Sequence, residues 1–463
     1  MHTDRLWDGS RWALVVLAAL AHLAFAALDT RLPADGALVV HDLGPWLLAF
    51  ENGTLPPELL RESGAWYSAG MAAALHLSDR APAALRLYCA SFGLLLLIQT
   101  GRLGRLLHGP AGGALATGLL LSMPLVTGLA RIPWFHIPEA ALVVTAALAL
   151  QRDPQLQRWT SWAVLVPSGL LVASLRTTGP FWLLSLAPLL WPALSARNWR
   201  VLLLPLLWLP GAWIQLLVVA EYLGGKLAQR ERYAEAVPGI WAQLDLAVGR
   251  VPLLLAAAGI VVGGPWRARR PELLLLVLWL GLPLLLVGVF RAGVDNHPLI
   301  CVGLALLGAS ATERSHWAAA VPVGWAVLYW GLMWGLPEGL RARVPLWRAE
   351  SPRMTLQVPW TGFGQAEIEE ILRLACTGPE RCDLWVSGGL SHGADHSTGS
   401  LEGLLLGRPL RIQANLPPPH RPGAWVWRHG PSEVNPLPPV QRKLMHPVAE
   451  FSDGDQVVEV WAR

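Results

Sequence analysis

Residues 12–28 read Trp12-Ala13-Leu14-Val15-Val16-Leu17-Ala18-Ala19-Leu20-Ala21-His22-Leu23-Ala24-Phe25-Ala26-Ala27-Leu28, bounded by Arg11 and Asp29. His22 is the one ionisable residue in the run, whose length approaches the ~20 residues a helix needs to cross the hydrocarbon core of a bilayer. Working outward, apolar runs recur near 83–107, 113–129, 138–150, 160–175, 180–194, 201–220, 250–264, 272–290, 298–311 and 317–336. Short segments holding most of the charge separate them. Only helices that satisfy their own backbone suit such a pattern, whereas a β-barrel would alternate polar and apolar residues. The runs at 138–150 and 298–311 are short for a perpendicular span and must extend into their flanks.

Composition agrees. Of 463 residues, 53% are hydrophobic and 15% charged, against ~25% charged in a soluble domain. That excludes an ordinary soluble enzyme. The net charge is +4, and of the 36 basic residues only Lys226 and Lys443 are lysine. Arginine is therefore nearly the only side chain available to grip a phosphate.

With the N-terminus cytoplasmic, alternate connections carry Arg5 and Arg11, Arg102 and Arg105, Arg152 and Arg158, Arg197 and Arg200, Arg267, Arg269 and Arg270, and then Arg314. This is a positive-inside ladder. The opposite short connections carry one arginine each: Arg131, Arg176 and Arg291. Eleven crossings place everything after Leu336 outside. Ala24-Phe25-Ala26 has the small-x-small form of a signal cleavage site, but the run is long for a signal peptide and the ladder works with it retained.

Two outer loops are long, 29–80 and 221–249. The first holds Trp46, Trp66 and Tyr67 among apolar residues, which predicts helices lying in the interface. No inverted repeat of the transporter kind is visible. Residues 1–337 form the membrane domain and 338–463 a small external α/β domain, with a helix over Gln365–Cys376 and strands over Asp383–Val386, Pro409–Ala414, Ala424–Trp427 and Gln456–Trp461. Cys89 and Cys301 fall in spans and read as small apolar residues. Cys376 and Cys382 bracket a turn and suit a disulfide in an oxidising compartment. His392-Gly393-Ala394-Asp395-His396 has metal-ligand chemistry, but its Ser- and Gly-rich flanks read as a polar loop, and no metal is assigned.

The chemistry-bearing stretch is His41-Asp42-Leu43-Gly44-Pro45-Trp46-Leu47-Leu48-Ala49-Phe50-Glu51-Asn52-Gly53, at the outer surface after the first span. An acid beside a bilayer-facing cavity can be tuned as a general base. Asp29, Asp35, Glu51, Glu58 and Glu62 share the loop, so composition does not select among them.

At this point the sequence resembles a family, the GT-C superfamily of membrane glycosyltransferases, in the branch of protein O-mannosyltransferases and bacterial aminoarabinose transferases. There the first external loop opens with an Asp, followed four residues later by an aromatic, then a small residue and a Gly-terminated helix. Asp42, Trp46, Ala49 and Gly53 match. Ala83-Ala84-Leu85-Arg86-Leu87 resembles the entry to the second span, and Arg102–Pro110 with Ser122-Met123-Pro124 a short cytoplasmic hairpin. Arg131 to Glu139 lies where the family has an arginine and a second acid, Ser174 to Pro180 where it has a "Leu-x-Lys-x-x-Pro" loop, and Arg291 to Pro298 at a further outer loop. Leu43 stands where a Glu is usual, and Glu139 where an Asp is. The resemblance covers roughly residues 12–311.

The resemblance implies a multi-pass protein of the bacterial inner membrane, with a periplasmic C-terminal domain. It would transfer a sugar from a polyprenyl-phosphate donor to a lipid, glycan or protein acceptor at the external face, with inversion and without a cofactor. Asp42 would be the general base and Glu139 would position acceptor or donor. Arg131, Arg176, Arg291 and His297 would hold the donor phosphate. The rival readings are a lipid-linked sugar flippase, which would want ionisable groups at mid-span, and a non-catalytic scaffold presenting the outer domain.

Overall fold

The structure is a computed structural model in which residues 2–28, 43–130 (save 56, 58, 62, 63 and 80), 134–213, 215, 240–264, 270–290 and 297–335 are described, with 370, 373–374, 443–445 and the five strands given below. Packing divides the chain into two units. The first comprises Met1–Leu23, Leu60–Tyr67 and Cys89–Leu356; the second comprises Ala24–Leu59, Ser68–Tyr88 and Gln357–Arg463.

Among the described residues helix falls on the apolar runs delimited above: His2–Leu28, Pro82–Leu121, Pro124–Leu129, His136–Arg152, Trp159–Leu175, Gly179–Leu184 with Ala187–Ser195, Trp199–Trp213, Arg250–Gly263, Arg270–Phe290, Leu299–Ala309 and Ala320–Gly335. Among the described residues one stretch, Ala83–Leu121, is long and apolar enough to cross a membrane by length and composition. It is not one rod. Gly109 (φ 78°, ψ −177°) breaks it ahead of Pro110, and the chain then doubles back. A Cβ on Gly101 would lie 2.4 Å from Thr117 Oγ1, and one on Gly104 would lie 3.0 Å from Ala116 Cβ. In a straight helix Gly101 and Thr117 would stand ~24 Å apart. Two antiparallel arms therefore meet along glycine, as expected for the runs 83–107 and 113–129, and the missing side chains let the backbones touch.

Proline also divides runs that read as continuous. Met123, before Pro124, is extended (φ −87°, ψ 118°) and separates the second arm from Pro124–Leu129, as the steric restriction on a residue preceding proline requires. The run 180–194 breaks at Ser185-Leu186, ahead of Pro188. The Ser185 hydroxyl donates to Trp182 O (2.6 Å) and accepts from the Trp279 indole N–H (3.0 Å), so this buried corner is satisfied.

The first helix begins ten residues before its apolar run, because its polar turns find partners. Asp8 pairs with Arg105 (3.0 Å) and the Arg11 guanidinium donates to Gly101 O (3.5 Å). His108 meets Glu313 at 2.8 Å at the hairpin turn. Asn198 donates to Gln155 O at 2.7 Å, bringing the connection that carries Arg152 and Arg158 against the one that carries Arg197 and Arg200. Cys89 and Cys301 are buried free thiols.

In the second unit, helix Leu43–Asn52 buries Leu43, Trp46, Leu47 and Ala49. It ends at Gly53 (φ +64°), with Thr54 N–H donating to Ala49 O (3.1 Å), a left-handed stop that glycine adopts without strain. With Leu59–Arg61 and Ala65–Leu77, the described parts of the 29–80 loop are largely helical. The strands are β1 (Cys382–Gly388), β2 (Leu410–Gln413), β3 (Ala424–His429), β4 (His446–Asp453) and β5 (Gln456–Ala462). They form one sheet in the order β2-β1-β3-β5-β4, parallel across β2, β1 and β3 and antiparallel beyond. Trp425 and Trp461 face each other in register (ring centroids 6.2 Å) beside Met445. The sequence reading finds four of the strands and misses β4. Pro447 and a bulge between Pro447 and Ala449 obscure its alternation, and such features are confined to edge strands, where a missing N–H costs no ladder bond. The expected Gln365–Cys376 helix lies outside the described residues apart from Glu370, Arg373 and Leu374. The Cys376–Cys382 pairing and the His392–His396 loop also lie outside them.

Candidate active site

Two chain reversals in the first unit build the site. Helix His136–Arg152 begins with His136 (1% exposed) and carries Glu139 (2% exposed) in its first turn, where the helix dipole favours a negative charge. Helix Trp159–Leu175 ends at Leu175. Arg176 then turns extended, Gly179 N–H donates to Arg176 O (3.0 Å), and Pro180 opens the next helix. The tightness of this turn depends on Gly179, since a Cβ there would sit 2.1 Å from Val172 O.

The turn sets Arg176 and Thr178 against the start of the 136–152 helix. Thr178 Oγ1 donates to Glu139 Oε1 at 2.8 Å. The Arg176 guanidinium, which can only donate, meets the His136 ring at Nδ1. His136 stacks on Trp134 (centroids 5.1 Å, 29°). His297 is 3% exposed and packs edge-on to Trp182 at 5.8 Å, and the charge of Arg176 acts on it. Among the described residues neither His297 ring nitrogen has a hydrogen-bond partner. A buried carboxylate, a fixed guanidinium and an imidazole with free donor and acceptor thus converge, an arrangement suited to a polar, anionic ligand group.

Part of the 29–80 loop is anchored to the same reversal. Ser174 O accepts from Gly64 N–H (2.9 Å) and from Gln215 Nε2 (2.8 Å). Gly64 (φ +73°) presses so closely on Phe135 that a Cβ would lie 2.5 Å from its ring. Tyr67 packs on Phe135 at 5.6 Å.

Of the residues expected from sequence, Glu139, Arg176 and His297 come together here. Asp42, Arg131 and Arg291 lie outside the described residues; Asp42 immediately precedes the helix that opens at Leu43. The sequence reading passes over His136, Thr178 and Trp182 as site residues. His136 and Thr178 lie inside the quoted motifs, three residues before Glu139 and two after Arg176. Those spacings hint at one helix face and one tight turn, but only the packing of the two reversals assigns the partners. Among the described residues no group of three or more His, Cys, Asp or Glu could hold a metal ion.

No protein-family model and no curated protein matches the sequence. Solved structures do. ArnT from Cupriavidus metallidurans in the apo state superposes with a TM-score of 0.57 at 14% identity, covering 97% of each chain. The same protein bound to undecaprenyl phosphate superposes at 0.56, again at 14% identity and 97% of each chain. Agreement over nearly the whole length gives the chain an ArnT-like fold, in keeping with the resemblance its motifs carry.

Proposed function

We propose that this chain is a polytopic inner-membrane glycosyltransferase that moves a sugar from a polyprenyl-phosphate donor to an acceptor at the external face. The observation that carries this reading is the half-buried Arg176 guanidinium, held at His136 with its charge acting on Glu139 and His297. It lies in a connection that the arginine ladder leaves on the outer side. The ArnT structure with bound undecaprenyl phosphate supports a polyprenyl-phosphate ligand for this fold.

In this reading an acceptor oxygen attacks the anomeric carbon while Asp42 takes its proton. The bond from that carbon to the phosphate oxygen breaks, with inversion. Polyprenyl phosphate departs with its growing negative charge held by Arg176, Arg131 and Arg291 and by a hydrogen bond from His297. Glu139, fixed by Thr178, positions acceptor or donor. Residues 1–337 form the membrane domain with the 29–80 loop at its catalytic face, and 338–463 the periplasmic domain.

The test is equilibrium binding of undecaprenyl phosphate to the detergent-purified chain. Losing one charge-assisted contact costs on the order of 2 kcal/mol, about thirty-fold, so Arg176→Ala is expected to weaken binding by that factor. Arg314→Ala, at an exposed arginine of the opposite ladder, should leave it unchanged. Equal affinity in the two variants contradicts the assignment.

A further inference from the structure

Two connections of the first unit gather four arginines on one surface. Arg152 and Arg158 flank the link between helices His136–Arg152 and Trp159–Leu175, and Arg197 and Arg200 follow Ala187–Ser195. All four are exposed. The Asn198 amide ties the links together, donating to Gln155 O (2.7 Å) and Leu156 O (3.3 Å), and the Trp162 indole N–H also donates to Leu156 O (3.1 Å). Each link holds a non-glycine residue in the left-handed region, Leu156 at φ 53° and Arg197 at φ 57°. Such conformations persist where surrounding bonds enforce them.

The one acid in either link is already engaged. Burial pushes the Asp153 carboxyl up, but its hydrogen bonds from Arg158 N–H (2.8 Å), Ser161 Oγ (2.9 Å) and Gln157 N–H (3.1 Å), with the charge of Arg158, hold it below the usual carboxylate range. Four guanidinium groups against one carboxylate leave the surface at a net +3. No salt bridge among the described residues uses any of the four. Trp159 (77% exposed) and Trp199 (64% exposed) stand one on each link, and Leu202 and Leu203 continue the exposed apolar surface beyond Arg200.

Cations beside exposed indoles at the ends of apolar helices match the layering of a phospholipid, with phosphate above and the acyl boundary below. We propose that this surface is a binding site for the headgroup phosphate of an anionic phospholipid in the adjoining leaflet. The guanidinium forks take the phosphate oxygens, and Trp159 and Trp199 seat at the glycerol level. A nucleic acid could stack bases on the indoles but offers no acyl surface to cover Leu202 and Leu203. The site rests on the proposed function only in needing the chain to be inserted in a membrane.

Native mass spectrometry of the full detergent-purified chain, titrated with phosphatidylglycerol or phosphatidylethanolamine, tests it. The wild type should retain phosphatidylglycerol in preference. Arg158→Gln with Arg200→Gln should weaken that binding about tenfold or more. Asn198→Ala, which keeps every charge, should weaken it several-fold by untying the links. Arg250→Gln with Arg314→Gln, a control removing the same charge, should leave it unchanged. Wild-type affinity in the Arg158/Arg200 variant, equal loss in the control, equal retention of the two lipids, or displacement by millimolar inorganic phosphate or by an RNA oligonucleotide would each overturn the proposal. Undecaprenyl-phosphate binding measured on the same variants stays at wild-type level, so a failure here is distinguishable from a failure of the transferase reading.

Discussion

Arg176 owes its position to a neighbour without a side chain. The chain reverses within three residues because Gly179 lies against Val172 O, and that reversal carries the guanidinium to His136 and the Thr178 hydroxyl to Glu139. Asp42 lies outside the described residues, one position before a helix whose Gly53 stop matches the motif seen in sequence. A general base must ionise, so Asp42→Asn, which keeps size and hydrogen bonding, should reduce turnover by roughly 10²–10⁴ at unchanged protein abundance. Asp35→Asn, in the same loop, should retain turnover in the same membrane assay. Loss in Asp35→Asn alone would move the motif seven residues earlier. Glu139, Arg176 and His297 are legible in sequence because an ionisable group beside an apolar run stands out against it. His136 and Thr178 are not, since nothing local says that two loops forty residues apart share one hydrogen-bond network.

At the scale of elements, the link between helices His136–Arg152 and Trp159–Leu175 shows how a connection is stabilised. Asp153 accepts from two backbone N–H groups and one hydroxyl at the start of the second helix, and its removal leaves these donors, the buried Ser161 hydroxyl among them, without their acceptor. Asp153→Ala is expected to cost about 2 kcal/mol, read as a lower unfolding midpoint of the purified protein. Because the folded carboxyl titrates below its unfolded value of ~3.9, this contribution is full above that value and is lost as pH falls through the folded one. The wild-type and variant midpoints should therefore converge in acid. Apolar length gives the positions of the helices, whereas the breaks at Met123 and Ser185-Leu186 lie inside runs that read as continuous, where Pro124 and Pro188 divide them. The early start at His2 was hidden, because Asp8 and Arg11 read as solvated until Arg105 and Gly101 supply their partners. Edge strand β4 was hidden by Pro447.

For the whole molecule, the arginine ladder proposes a sidedness, and Asn198 joins two of the connections it assigns to one face. A periplasm-active reporter fused after Leu336 should give signal, and one fused near Arg269 should not; equal activity would break the eleven-span order. Transfer of a lipid-linked sugar is read out in a deletion strain. Mass spectrometry would follow its polyprenyl-phosphate sugars and its glycans, with the strain complemented by wild-type or Asp42→Asn protein at equal abundance. The deletion should accumulate one polyprenyl-phosphate sugar and lose the matching residue from one acceptor, and the wild type should reverse both changes while Asp42→Asn reverses neither. Profiles unchanged by the deletion, or restored fully by Asp42→Asn, would contradict the transferase reading.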